Sequence, residues 1–86
     1  HLSQATELNF ALQELVEMVK LNSDHENAAL KIKSLLNKSG WEVEYVAIRR
    51  RFDLKEATGA DKLLVALVAA RLNNVRLIDN IEFCID

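Results

Sequence analysis

The residues that most often carry chemistry are few and scattered in this 86-residue chain. The two histidines, His1 and His25, are too far apart in sequence to form a metal-binding motif of defined spacing. Cys84 is the only cysteine, so an internal disulfide and a multi-cysteine zinc site are excluded, and no histidine lies near it in sequence to activate it. Gly40 and Gly59 do not form a glycine-rich phosphate loop. The sequence therefore predicts no catalytic residue, no cofactor-binding residue and no metal ligand.

The basic run Arg49-Arg50-Arg51 is the one cluster of like charge. Strand alternation would place Arg49 and Arg51 on one side and Arg50 on the other. Three arginines without interleaved aromatic side chains are more typical of a solvated strand end than of a phosphate-binding cradle. The net charge of −2 gives no general attraction to nucleic acid or to an anionic membrane.

Length and composition predict one globular domain over residues 1–86. Half of the residues are hydrophobic and 28% are charged, which is typical of a soluble folded chain. No apolar run reaches the roughly 20 residues that a membrane-spanning helix needs, and no signal-like segment opens the chain. We therefore expect a cytoplasmic location. Because the sequence starts at His1 without a methionine, we also expect a fragment of a longer protein.

The elements that would position any site begin with a helical hairpin. Ser3 is a candidate N-cap for the first helix, and Ser23 with Glu26 forms a candidate capping box for the second. Residues at three- and four-residue spacing predict the apolar face of the first helix: Leu8, Leu12, Leu15, Val16 and Val19. The corresponding face of the second helix is Ala28, Ala29, Ile32, Leu35 and Leu36. Gly40 can adopt the left-handed conformation that ends this helix.

Aromatic and β-branched residues then predict a strand from Trp41 to about Phe52. Regular alternation would place Trp41, Val43, Tyr45 and Ala47 on one face and Glu42, Glu44, Val46 and Ile48 on the other. A polar connection follows over residues 53–61, and we expect a helical turn within it at residues 54–57.

The last stretch, Leu63 to Phe83, is interpreted as a β-hairpin. Residues 63–70 are almost wholly apolar, as in a central strand that is buried on both faces, although their alanines and leucines also leave a helix open. Asn73-Asn74 favours the strand, because paired asparagines tolerate the positive φ angles of a two-residue hairpin turn. The predicted fold class is α+β: a helical hairpin followed by a three-stranded antiparallel sheet that ends in a β-hairpin.

A turn at Asn73-Asn74 fixes the register of the hairpin. One face then carries Leu64, Ala66, Val68, Ala70 and Leu72 opposite Phe83, Ile81, Asp79, Leu77 and Val75. Asp79 is the only polar side chain in that set, so it must be hydrogen-bonded or paired. We expect a structural role, because no second carboxylate, histidine or metal-ligand cluster converges on Asp79 in the sequence.

The other face of the hairpin places Arg71 directly opposite Arg76. Like charges in this position are unfavourable unless an anion or a carboxylate separates them. Glu56, Asp53 or Glu44 could supply the carboxylate, and an anionic ligand or an acidic surface of another domain remains an alternative. The rest of this face is half apolar, which predicts that something else packs on it.

The segment Ala69-Ala70-Arg71-Leu72, a two-residue turn and then Arg76-Leu77-Ile78-Asp79-Asn80 resembles the C-terminal end of the pantothenate synthetase (pantoate–β-alanine ligase) family. Val43-Glu44-Tyr45-Val46 with Ile48 is similar to the preceding strand of that family, and Leu2-Ser3 to the start of the helix after its Ser-Ser-Arg-Asn loop. Asn73 departs from the usual glycine of the family. Arg50 and Arg51 stand where an acidic residue is common, so no role is carried onto them.

The resemblance implies a parent enzyme that joins pantoate to β-alanine through a pantoyl adenylate, using ATP and magnesium and releasing AMP and pyrophosphate. The family's histidine motif and substrate contacts lie in a Rossmann-like N-terminal domain that would precede His1. The resemblance therefore assigns no catalytic residue here and implies the C-terminal lid domain of a homodimeric ligase. We expect this lid to have the N-terminal catalytic domain as its partner, to bind neither ATP nor magnesium alone and to be inactive by itself.

A free-standing interaction module is the alternative function. It would dock through the sheet face of Arg71 and Arg76 or through the first helix. Neither hypothesis involves nucleic acid or a membrane.

Overall fold

A computed structural model of the protein describes residues 4–21 and 24–85. Two helices, α1 (Gln4–Leu21) and α2 (His25–Lys38), precede three strands, β1 (Glu42–Arg50), β2 (Leu63–Leu72) and β3 (Val75–Cys84). The strands form an antiparallel sheet in the order β1-β2-β3, and both helices pack on the sheet. The predicted α+β class is confirmed. Within the described ranges, no helix is long and apolar enough to cross a membrane.

The helices bury the stripes that the spacing predicted, with one exception. All five predicted residues of α1 are buried. In α2, Ala28, Ile32 and Leu36 are buried and Ala29 is half-buried, but the prediction was wrong for Leu35, which is 50% exposed. Residues 28, 32 and 36 follow a single four-residue row, and Leu35 lies about 60° from the middle of that row around the helix axis. Only a narrow strip of α2 is therefore covered by the rest of the fold.

Both ends of α2 are explained by local chemistry. Asp24 is the N-cap, and its side chain accepts a hydrogen bond from the backbone N–H of Asn27 at 3.1 Å. The predicted caps Ser3 and Ser23 lie outside the described residues. Gly40 has φ of +94°, as its predicted role requires, and the next residue, Trp41, donates its backbone N–H back to Leu36 O at 3.0 Å.

The hairpin has the predicted register throughout. Asn73 and Asn74 have φ of 52° and 68°, the two positive values of a type I′ turn, and Leu72 pairs with Val75. The central strand β2 is buried on both faces along most of its length, so the competing helical interpretation is wrong.

The predicted alternation of β1 is wrong beyond Val43. Val43 pairs with Ala70 but Tyr45 pairs with Ala69, so the strand carries a β-bulge between them. One extra residue exchanges the two faces of the following strand. Val46 and Ile48 consequently join Val43 against the helices, while Tyr45 and Ala47 lie on the side away from them.

The connection after β1 folds back against the outer edge of that strand. Arg50 N–H donates to Lys55 O at 2.8 Å, and Leu54 N–H donates to Arg50 O at 2.9 Å. Glu56 forms an isolated antiparallel bridge with Arg49. The strand therefore ends at Arg50 rather than near Phe52. The expected helical turn at residues 54–57 is absent, because Leu54 has a positive φ and the next two residues pair with the strand edge.

Candidate functional site

The surface most suited to function is the side of the sheet turned away from the helices, which we name the open face. The strand registers place these residues on it: Glu42, Tyr45, Ala47 and Arg49 from β1, Val65, Leu67, Ala69 and Arg71 from β2, and Arg76, Ile78, Asn80 and Glu82 from β3. The hairpin part of this set agrees with the sequence prediction. The contribution of β1 could not be placed correctly without the bulge.

The open face is partly apolar. Val65 and Ala69, on the central strand, are 4% and 0% exposed. Tyr45 and Ile78, on the flanking strands, are large apolar side chains that are 41% and 56% exposed. Each of them lies beside Ala69, since Ala69 pairs with both in the sheet. The small residue between them leaves a shallow apolar strip that crosses the three strands.

Arg71 and Arg76 are direct cross-strand neighbours, as predicted. Of the three carboxylates considered, Glu44 is the one that approaches this pair: Arg76 Nε donates to both of its carboxylate oxygens, at 2.5 and 2.9 Å. The hydrogen bonds with Glu44 raise the pKa of Arg76 above its usual value. Glu44 lies at the bulge of β1, and its side chain reaches across the central strand to this arginine on β3.

Arg71 differs from Arg76 in its surroundings. It is exposed and registers with Glu42 on one side and Arg76 on the other. No hydrogen bond or ion pair of its guanidinium occurs with any residue in the described ranges. Arg71 also borders a hollow of about 340 Å³ at the turn end of the sheet, together with Asn73 and Asn74. It is therefore a cation of the open face that can still accept an anionic partner.

Two arginines of the basic run are bound within the fold. Arg50 makes an ion pair with Asp53, which raises the pKa of Arg50 and lowers that of Asp53, and its guanidinium carbon lies 4.9 Å from the ring centre of Phe52. Arg51 donates through Nη2 to Phe83 O at 2.8 Å. The prediction of a solvated strand end was therefore wrong for Arg50 and Arg51. Because these two arginines are bound to groups of the same chain, the run does not form a phosphate-binding cradle.

Asp79 has the hydrogen bonds that a structural role requires. Its Oδ1 accepts from the backbone N–H of Asn80 at 2.8 Å, and its Oδ2 lies 3.5 Å from Nδ2 of Asn9 on α1. The carboxylate is half-buried between the sheet and α1. It therefore helps to attach α1 to β3, and no second acid approaches it to form a catalytic pair among the described residues.

The remaining candidates do not form a reactive cluster. His25 is half-buried, and its Nε2 is buried without a hydrogen-bond partner among the described residues. Cys84 is exposed at the end of β3. In the described ranges, no three His, Cys, Asp or Glu side chains lie close enough together to hold a metal ion. His1 lies outside these ranges.

Two grooves were missed by the sequence analysis. The first, named the edge groove, has about 370 Å³ and runs between α2 and the outer edge of β1. The second, named the α1 groove, has about 680 Å³ and is bordered by Phe10, Met18, Leu21 and Ile81. Phe10 and Leu21 are 50% and 86% exposed. Both residues lie off the predicted apolar stripe, which was the available signal for this groove.

Comparisons with known proteins agree with the resemblance seen in the hairpin. The family model described as pantoate-beta-alanine ligase matches residues 1–82. Pantothenate synthetase of Verminephrobacter eiseniae is 42% identical over 84 residues, covering 93% of this chain and 30% of the relative. The proteins of the same name from Leptothrix cholodnii and Shewanella loihica are 41% and 35% identical, covering 92% and 93% of this chain but 29% and 28% of their own lengths. The chain thus spans less than a third of these curated relatives.

Proposed function

Since this chain belongs to the pantoate-beta-alanine ligase family, we propose that it is the C-terminal lid of an ATP-dependent ligase that condenses pantoate with β-alanine. The rest of that enzyme would supply a Rossmann-like catalytic domain, the binding sites for ATP and magnesium, and the homodimer contact. The activity would belong to cytoplasmic pantothenate biosynthesis, which leads to coenzyme A.

The observation that carries the proposal is the open face. Three antiparallel strands have one side covered by helices, while the other side exposes Tyr45 and Ile78 over the buried Ala69. An exposed apolar strip with a polar rim is typical of a contact surface. Arg71 adds a cation without a partner in the described chain, so the face suits a surface that is partly apolar and locally acidic or phosphate-bearing.

The contribution of a lid to this reaction would be physical rather than covalent. An acyl adenylate is readily hydrolysed, so the ligase gains yield when a closed lid excludes water until the amine arrives. A rigid sheet face serves this purpose because its backbone is held by ladder hydrogen bonds. No residue of this chain needs to touch the reacting atoms for that role.

The proposal is tested by two preparations. The first is this chain alone, supplied with ATP, magnesium, pantoate and β-alanine; we expect neither AMP nor pantothenate. The second is the Verminephrobacter eiseniae enzyme with its matching C-terminal region replaced by this chain; we expect ATP-dependent pantothenate formation. The enzyme truncated before that region is the control. Turnover by the chain alone, or a folded chimera no better than the truncated control, would refute the lid role.

The α1 groove favours a second candidate, an interaction module that binds an apolar segment of another protein. Phe10 and Leu21 would then be the contact residues. If the chain is such a module, the free chain should bind a separate protein and the chimera should be inactive. For a lid, we expect the chimera to be active instead.

A further inference from the structure

The connection after β1 begins with a tight loop that the chain holds in one shape. Arg50 N–H donates to Lys55 O at 2.8 Å, and Leu54 N–H donates to Arg50 O at 2.9 Å. One carboxylate oxygen of Asp53 accepts from Nε of Arg50 at 3.0 Å and from the backbone N–H of Lys55 at 3.1 Å. The four residues between Arg50 and Lys55 therefore form a preorganised projection at the end of β1.

Two large apolar side chains of this loop are exposed. Phe52 is 76% exposed and Leu54 is 58% exposed. The guanidinium carbon of Arg50 lies 4.9 Å from the ring centre of Phe52, which orients the ring without covering it, and Asp53 neutralises the charge of that arginine. Apolar side chains on a preorganised loop suit a protein contact, because little conformational entropy is lost when they bind.

The backbone of Leu54 is as unusual as its exposure. Its φ of 60° lies in the left-handed region, where a Cβ is strained and glycine or asparagine is the usual residue. In the described ranges, the other residues with positive φ are Gly40, Asn73 and Asn74, which follow that rule. The stability of this chain alone therefore does not explain a leucine here. Strained backbone positions cluster at functional sites, where another interaction compensates the strain.

We propose that Phe52 and Leu54 anchor this domain by inserting into an apolar recess of the catalytic part of the ligase. The identity of that partner rests on the proposed function. This chain covers only 28–30% of the matched relatives, so most of such an enzyme remains to provide the recess. Burial of the two side chains there compensates the strain at Leu54. Both residues lie beyond the last residue of β1, so the anchor is separate from the open face.

A second copy of this chain is a poorer partner for the loop. A projecting tip that enters a groove elsewhere on an identical chain makes a head-to-tail contact. Such contacts produce rings or open filaments rather than a closed pair. A recess on a different part of the same enzyme needs no such assembly.

The anchor is tested by hydrogen exchange and mass spectrometry of the chimera in which this chain replaces the matching region of the Verminephrobacter eiseniae enzyme. Without substrates, the peptide that contains residues 51–54 should exchange at least about tenfold more slowly in the chimera than in the 86-residue chain. The double variant Phe52→Ser with Leu54→Asn should abolish this difference. Leu35→Gln is the matched control, because it changes a leucine on α2 that is 50% exposed, and it should leave the protection unchanged.

The isolated chain tests the strain on which the proposal depends. Asparagine tolerates positive φ, so Leu54→Asn should leave the urea midpoint of the 86-residue chain unchanged or raise it. The same substitution in the chimera should speed exchange of the loop peptide at least about threefold, because one of the two anchoring side chains is lost. A lower urea midpoint for the isolated variant would show that Leu54 is needed by this chain itself, and it would refute the proposal.

Loop protection is measured without any assay of activity, so the anchor and the ligase function can fail separately. An inactive chimera with a protected loop would support the anchor and refute the lid role. Equal exchange of the loop in the chimera and in the isolated chain would refute the anchor, whatever the activity. Equal loss of protection in Leu35→Gln would refute it too. If protection of the isolated chain rises with its concentration, a second copy covers the loop and the proposal is wrong.

Discussion

Leu54 is the best position at which to test the local physics of the fold. It has φ of 60°, a left-handed conformation that a leucine rarely adopts, in the connection that returns to β1. Its N–H is bonded to Arg50 O at 2.9 Å, and the adjacent Lys55 accepts from Arg50 N–H at 2.8 Å. The side chain is 58% exposed, so replacing it removes little buried surface. We predict that Leu54→Gly stabilises the protein.

The expected gain follows from two opposing contributions. The left-handed conformation costs a residue with a Cβ about 1–2 kcal/mol, which glycine does not incur. Glycine in turn loses about 0.5–1 kcal/mol more in backbone entropy when the chain folds. The middle values of these two ranges leave a net stabilisation of about 0.75 kcal/mol. For a domain of this size, that corresponds to a rise in Tm of about 3–6 °C.

Urea denaturation followed by circular dichroism measures this difference. Leu54→Ala is the matched control, because alanine removes the side chain but retains the strain of a Cβ at positive φ. We expect Leu54→Gly to have a higher urea midpoint than Leu54→Ala at equal m-value. If glycine is no more stable than alanine, the left-handed conformation is not a source of strain and the reasoning fails.

Three further changes test other parts of the fold. Asn73→Ala puts alanine at φ of 52° in the hairpin turn and should cost about 1 kcal/mol in urea denaturation; an unchanged midpoint would argue against a type I′ turn. Ile32 is 0% exposed, so Ile32→Ala should lower the free energy of unfolding by about 2–5 kcal/mol. Leu30 is 59% exposed, so Leu30→Ala should change it by no more than about 0.5 kcal/mol. Equal losses would contradict the placement of α2. Asp53→Asn tests the ion pair with Arg50, which lowers the pKa of Asp53 in the folded state. The pair therefore contributes to stability above the unfolded pKa of about 3.9. This contribution is lost as the pH falls through the folded pKa. The variant should therefore lose less stability on acidification than the parent chain, and parallel pH profiles would show that the pair contributes nothing.

The parts of the fold that the sequence predicted well are those with short-range causes. The hairpin register follows from the two-residue turn alone, because Asn73 and Asn74 fix every later pair. The α1 stripe follows from helical spacing, and the end of α2 at Gly40 follows from a residue that accepts positive φ. Each of these depends on neighbours within a few positions.

The parts that could not be predicted depend on contacts between distant segments. The bulge in β1 cannot be recognised from the residue pattern of the strand, yet it moves Tyr45 to the open face. The path of residues 51–57 is likewise set by the outer edge of β1 rather than by local helix propensity. Similarly, exposure of Leu35 depends on where α2 crosses the sheet. The candidate site was therefore predicted for β2 and β3 and only partly for β1.

The most direct test of the lid role is the ratio of AMP to pantothenate formed by the chimera with the Verminephrobacter eiseniae enzyme. Ile78→Lys places a charge in the apolar strip of the open face, and Leu21→Lys is the matched change on α1. If the open face closes over the adenylate, Ile78→Lys should raise the ratio because water hydrolyses the intermediate, and Leu21→Lys should leave it near one. An unchanged ratio for Ile78→Lys, or a rise for Leu21→Lys alone, would contradict the account.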